Sequence, residues 1–214
     1  MKWLFSLFLL FAVSLSAQSS FTLGLIAGPN VSKIGLHRVP DALSDTDLFD
    51  LRLGWQAGLA VGYKLSERSR VSFQPAFVRR GHNQTSRVGA SSSMRVDYLD
   101  LPVVYRHRLI HAFYAEAGAF LGLRLGSQFS SSGEVIENQF VGALIDSQSD
   151  TDFGGILGIG YAFSGRLSAS FRLTQGLVNF YPDVVYTDRN GSPLGTSPCH
   201  FNRSFMLLIA YNLF

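Results

Sequence analysis

From Leu53 to Leu65 the chain reads LGWQAGLAVGYKL, with Leu53, Trp55, Ala57, Leu59, Val61, Tyr63 and Leu65 apolar and small or polar residues between them. A period of two belongs to an extended strand, whose successive side chains point to opposite faces. The same alternation returns in Phe21–Gly28, Arg70–Arg80, Arg95–Arg108, His111–Leu125, Asp152–Phe163, Arg166–Leu177 and Arg203–Phe214. With the first stretch, that predicts eight strands. Most are ten residues or longer, near the roughly 9–11 residues with which a tilted strand crosses a bilayer. Strands of soluble domains are commonly about 5–6 residues.

The connections alternate as well. Ser66–Arg68, Leu109–Ile110 and Ser164–Gly165 are tight, whereas Asn30–Leu51, Gly81–Met94, Gly126–Thr151 and Asn179–Asn202 are long. Short turns on one side and long loops on the other are the pattern of an up-and-down barrel in a bacterial outer membrane, its tight turns facing the periplasm. Four loops of this length would be unusual in a compact soluble domain.

The two strand faces differ in a way that decides which one meets lipid. One carries Leu23, Leu25, Val71, Phe73, Phe77, Leu99, Leu101, Val103, Leu121, Leu157, Ile159, Phe171, Leu207 and Ile209. Its aromatics gather at two levels: Tyr63, Tyr105, Phe113, Tyr161, Phe163 and Tyr211 by the tight turns, Trp55, Phe153 and Phe205 by the long loops. Rings at two levels flanking an apolar band suit a surface bounded by headgroups on both sides. The opposite face is built of glycine, alanine, serine and scattered charge, including Gly58, Gly62, Gly118, Gly122, Gly154, Gly158 and Gly160. That face fits a narrow lumen. Because an unpaired backbone group in hydrocarbon costs several kcal/mol, the sheet must close, and the first strand must pair with the last. The expected fold is all-β: an eight-stranded antiparallel transmembrane barrel with short periplasmic turns and four long extracellular loops.

Composition agrees. Charged residues are 15% of the 214, against roughly 25% in ordinary globular domains, and hydrophobic residues are 47%. The first residues, MKWLFSLFLLFAVSLSAQ, join a basic start to an apolar run and a small-residue end. This is the form of a secretory signal peptide. We expect residues 1–17 to be removed and residues 18–214 to form the barrel domain. The net charge of +3 is too mild and too scattered for a nucleic-acid partner. Cys199 is the one cysteine, so no internal disulfide forms. Beside His200 alone it makes a poor metal site, and neither a metal nor a cofactor is expected.

With these features in hand, the chain resembles the PorT-like outer-membrane β-barrel proteins of Bacteroidetes-type bacteria. The resemblance lies in AGPNVSKI, GWQAGLAVGYKLSERSRVSFQPAFVRRG, YLDLPVVYRHRL, FYAEAGAFLGLRL and DFGGILGIGYAF, in that order, and in the terminal Phe214. It implies a small barrel of this topology in the outer membrane and, for one member type, a part in protein secretion and gliding motility. The C-terminal strand departs from the common pattern: Phe205, Leu207, Ile209, Tyr211 and Leu213 are out of phase with Phe214.

Candidate function rests on ionisable residues of the inner face. Asp100, Glu116 and Asp152 share it with Arg52, Lys64, Arg70, Arg80, Arg106, Arg124 and Arg172. An eight-stranded barrel has an interior only just filled by side chains, so we expect these charges to pair and plug the lumen. Glu116 should pair with Arg172, Arg124 or Arg106. The alternative is a narrow, basic-lined passage for anions. A rim enzyme would draw on His37, His82 and His200, with Asp183, Asp188 and Ser197 near them in sequence, but their spacing shows no nucleophile, base and orienting group in reach of one another. No enzymatic activity is expected. The expected partners are outer-membrane lipid and, through the long loops, envelope or secretion-machinery proteins, the barrel itself being monomeric.

Overall fold

A computed structural model describes residues 20–37, 50–85, 91–132, 148–181 and 199–213. The segment read as a signal peptide, the loop residues Asp183, Asp188 and Ser197, and the terminal Phe214 lie outside the described residues. The strands are β1 (Phe21–His37), β2 (Arg52–Lys64), β3 (Ser69–Phe73), β4 (Ala76–Thr85), β5 (Ser91–Arg108), β6 (Phe113–Ser132), β7 (Thr151–Ala162), β8 (Leu167–Gly176) and β9 (Cys199–Asn212).

β3 and β4 are one span. Against β2 they keep a single register, Val61 opposite Phe73 and Ala57 opposite Phe77, and the same holds against β5, with Phe73 opposite Val103 and Phe77 opposite Leu99. The interruption falls at Pro75, which has no N–H to give the ladder. Its carbonyl still accepts from Leu59 N–H at 3.0 Å, and Gln74 N–H reaches the Pro102 carbonyl at 2.9 Å. The ring thus has eight spans, each antiparallel to its neighbours, and β1 closes it by pairing with both β2 and β9.

The stagger of the barrel can be followed from partner to partner. Thr22 pairs with Gly62, then the path runs through Ser72, Val104, Gly118, Ile156, Thr174 and Ser204 and returns to β1 at Ser32, ten residues further along. Such a shift accompanies strands tilted well away from the barrel axis.

Burial follows the period of two. Leu25, Leu59, Val103, Leu157, Ile159, Phe171, Leu207 and Ile209 are exposed on the outside, as are the ring residues Tyr63, Tyr105, Phe113, Tyr161, Phe163 and Tyr211 at one end and Trp55, Phe153 and Phe205 at the other. A soluble protein does not display a continuous apolar belt of this extent; lipid covers it. The lumen holds more than the glycine, serine and charge visible in the pattern. Ile26, Val78, Met206 and Leu208 form one buried cluster and Val104, Phe120 and Ile156 another.

The tight turns lie where the sequence places them, at Leu65–Arg68, Leu109–Ala112 and Phe163–Arg166. The outer ends differ. β1 continues past Gly28 to His37, β4 reaches Thr85, β5 begins at Ser91 and β6 runs to Ser132, so the long loops are shorter than the alternation implies. Beyond the lipid a strand needs only backbone pairing, and a serine ladder such as Ser91–Ser132, Ser92–Ser131 and Ser93–Ser130 carries no hydrophobic signal. A bulge between Asp97 and Tyr98 in the β5–β6 register shifts the phase of β6, which is why Phe129 packs inward.

Candidate functional site in the barrel lumen

Nearest the periplasm, the lumen is crossed by one row of residues in register: Arg106 on β5, Glu116 on β6, Gly158 on β7 and Arg172 on β8. Arg106 and Glu116 are direct cross-strand neighbours, and Arg106 donates from Nε and Nη2 to Glu116 Oε1 at 3.0 and 2.8 Å. Arg172 is two strands from Glu116 and reaches it over Gly158, donating from Nε to Oε2 at 2.6 Å and from Nη2 to Oε1 at 3.1 Å. Its Nη1 donates to Gln74 Oε1 at 2.8 Å, and Gln74 Nε2 donates to Ser72 Oγ at 2.7 Å. The Glu116 side chain has no exposed surface. Charge-assisted, partly bidentate bonds of this kind are the strong ones, and they compensate a carboxylate that burial alone would penalise heavily.

Above the apolar clusters lies a second charged layer. Asp100 on β5 and Asp152 on β7 flank Gly122 in one register row. Arg80 pairs with Asp100 and lies 3.7 Å from Asp152. Asn202 Nδ2 donates to Asp152 Oδ2 at 3.1 Å, and the Arg80 guanidinium stands over the rings of Phe120 and Tyr98, 5.0 and 5.4 Å from their centroids.

Arg124, named beside Arg106 and Arg172 as a partner for Glu116, is not one. It is on the same strand, eight residues further toward the outside, about 27 Å along the chain. It pairs instead with Asp150 at 2.5 Å. Arg52 bonds Ser93 and Asn83 near the outer rim, away from either layer. Lys64 sits at the periplasmic rim with Glu67, 2.7 Å apart. Gln74, which the alternation puts on the inner face, and Asn202, which reads as the end of a long loop, are neutral members of the network beyond the ionisable residues singled out in the sequence. Their lumen phase beside charged rows is the signal that ties them to it.

The outer mouth is closed by chain that reads as loop in the sequence. Phe180 and Tyr181 turn inward and are buried against Ile34, Met94, Val96 and Tyr98. Backbone bonds anchor them: Ser149 N–H to the Phe180 carbonyl at 3.0 Å, and Phe180 N–H to the His200 carbonyl at 2.6 Å. The Tyr181 ring meets both His200 and His82 edge-on, with centroids 5.3 and 6.4 Å away. This cap stands above the outward ion pair Arg79–Asp97, beyond the apolar belt. Burial pushes the His82 imidazole down to about 3, helped by nearby His200 and Arg52, and burial lowers His200 to about 4. Two of the three outer histidines therefore come together as neutral rings packed on a tyrosine. His37 ends β1; its cross-strand partner is Cys199.

Among solved structures the chain is similar to Neisserial surface protein A (NspA), with 10% identity over 88% of this chain and 96% of that one at a TM-score of 0.47. It is also similar to Ail, the attachment invasion locus protein of Yersinia pestis, with 10% identity over 92% and 100% of the two chains at 0.44. For OprG of Pseudomonas aeruginosa the figures are 13%, 92%, 97% and 0.39. No protein in the curated comparison matches the sequence. The family model described as outer membrane protein beta-barrel domain matches residues 5–181. A closed eight-span barrel with a lipid-facing belt and a match over most of its length place this chain in the outer membrane, as a member of the outer membrane protein β-barrel domain family.

Proposed function

We propose that this protein is a non-conducting structural and interaction component of the outer membrane, a monomer whose outer loops and periplasmic face engage other envelope proteins. The observation that carries this reading is the filling of the lumen. Two charged layers, the apolar clusters between them and the Phe180–Tyr181 cap lie in series along the axis. Two cavities within the lumen measure about 20 Å³ each, room for little more than one water. The resemblance to PorT-like proteins supports secretion machinery as the source of the partners.

Planar-bilayer recording tests it. A plugged barrel gives no stable channel steps, and large steps in the parent protein would favour the basic-lined anion passage instead. Capture of envelope proteins on the tagged barrel in mild detergent, lost when the outer loops are shortened, tests the interaction role.

A further inference from the structure

The register row that holds Glu116 continues past Arg106. Arg106 is opposite Arg70 on β3, and Arg70 is opposite Lys64 on β2. Three cations thus stand side by side on three adjacent strands, all on the lumen face. Like charges directly opposite on a sheet repel and destabilise it, so the row calls for a compensating anion. Arg106 has one, since Glu116 takes its Nε and Nη2. Lys64 has another in Glu67. Among the described residues Arg70 has no carboxylate within ion-pair distance.

Arg70 faces a cavity of about 140 Å³ at the periplasmic end, lined also by Lys64, Arg68, Arg106, Arg108 and Ser168. Among the described residues Glu67 is the one acidic residue in its lining, and it is exposed and bonded to Lys64. The cavity is a built feature. The Arg106 guanidinium lies 3.9 Å from the centroid of Tyr114, whose hydroxyl donates to the Ala169 carbonyl at 2.9 Å. A Cβ on Gly62 would come within 3.1 Å of Arg70 Cδ, so the glycine gives the arginine stem its room. The Glu116–Arg172 layer closes the inner end, making a blind cup that opens to the periplasm.

We propose that this cup binds a small oxyanion of phosphate size, with Arg70 as its principal ligand and Arg106 and Arg108 beside it. A phosphate presents several acceptor oxygens to forked guanidinium donors, and the site's surplus of positive charge over carboxylate is what such a dianion neutralises. The phosphate could be free in the periplasm or the headgroup of an anionic lipid in the inner leaflet; the recognising chemistry is the same. The cup lies below the Glu116 layer, so failure to bind phosphate and the appearance of conductance are separate outcomes.

Calorimetric titration of inorganic phosphate into the full barrel in maltoside detergent tests this. Saturable binding is expected, weakened at least tenfold by Arg70→Gln, the loss of one charge-assisted contact. Arg70→Lys should retain most of the affinity, and Arg95→Gln, outward near the opposite rim, should retain all of it. Should Arg70→Gln fail to fold by heat-modified gel mobility, Arg108→Gln supplies the second reading, with a loss of at least threefold. Repeating the titration in phosphatidylcholine vesicles with and without phosphatidylglycerol identifies the source: lost phosphate binding in the anionic vesicles means a headgroup fills the cup, and unchanged binding means a free anion does. No saturable binding at millimolar phosphate, or equal affinity in the parent and the cup variants, overturns the proposal.

Discussion

Arg172 and Glu116 meet across a strand that neither belongs to, over the bare backbone of Gly158, at 2.6 Å between Nε and Oε2. With Arg106 on the other side, one carboxylate holds two guanidinium groups. Replacing it with the isosteric amide in Glu116→Gln leaves both cations uncompensated in a closed lumen. Breaking one side of a buried pair typically costs about 3–5 kcal/mol, and a loss toward the lower end is expected here because Arg106 is partly solvated. Urea unfolding of the barrel in vesicles, followed by tryptophan fluorescence, reads the change directly.

Gly158 should be as sensitive as the charges it separates. A Cβ there would lie 3.0 Å from Arg172 Cγ and 2.9 Å from the Phe171 carbonyl. Gly155, on the same strand but facing outward, has nothing within 4 Å of that position. Gly158→Leu is expected to lose about 1–3 kcal/mol through overpacking, while Gly155→Leu stays near neutral. Equal losses from the two would contradict the assignment of faces.

The lipid face has its own depth scale. Leu59→Arg, mid-span and outward, should cost about 2–4 kcal/mol, and Leu53→Arg, outward by the outer rim, about 0–1. The same unfolding assay distinguishes them.

Much of this architecture is legible in the sequence, and the reasons are physical. Lipid demands an apolar residue at every second position, so the eight spans and the outward face of Leu59 or Ile159 stand out. Above the lipid that demand ends: the outer portions of β5 and β6 disappear into serine-rich sequence, and that of β1 runs on through Pro29 and Lys33, although their backbones pair. Charge on the lumen face was equally visible, since Glu116 and Arg172 sit in phase with glycines. Which charges meet was not, because that depends on register: Arg124 and Arg172 look alike in sequence, yet only one shares a row with Glu116. The Phe180–Tyr181 cap left no periodic trace, being a single inward turn in a segment that otherwise reads as loop.

Orientation can be measured with cysteines in a Cys199→Ser background. Ser92, on the outer half of β5, should react with a membrane-impermeant maleimide on intact cells, and Ser164, in the β7–β8 turn, should not. Equal labelling at both positions would sink the topology.

The cap makes stability depend on pH. His82 and His200 are held neutral in the fold, at about 3 and 4, whereas an unfolded imidazole titrates near 6.5. Between those values the unfolded chain binds more protons, so stability is full above about pH 6.5 and falls as pH drops below it. At pH 5 the loss is up to about 2 kcal/mol for each ring. His82→Gln and His200→Gln should each flatten the profile between pH 4 and 7 in unfolding measurements, and an unchanged profile would mean the rings stay packed when charged.

Of all the strand pairings, β1 with β9 is the one whose partners are far apart in the chain. The others join neighbours in sequence and can form as hairpins. This seam must wait for the whole polypeptide, and it carries the largest loop-closure cost of any pairing in the ring. The ladder is also interrupted between Ala27–Ile209 and Asn30–Met206, where Pro29 has no N–H to donate. Until β9 reaches β1, the sheet built from the intervening strands has two open edges whose backbone groups lack partners. Assembly in the cell becomes a race between closing that seam and pairing an edge with a neighbouring chain, and a chaperone that shields β1 until β9 arrives would decide it.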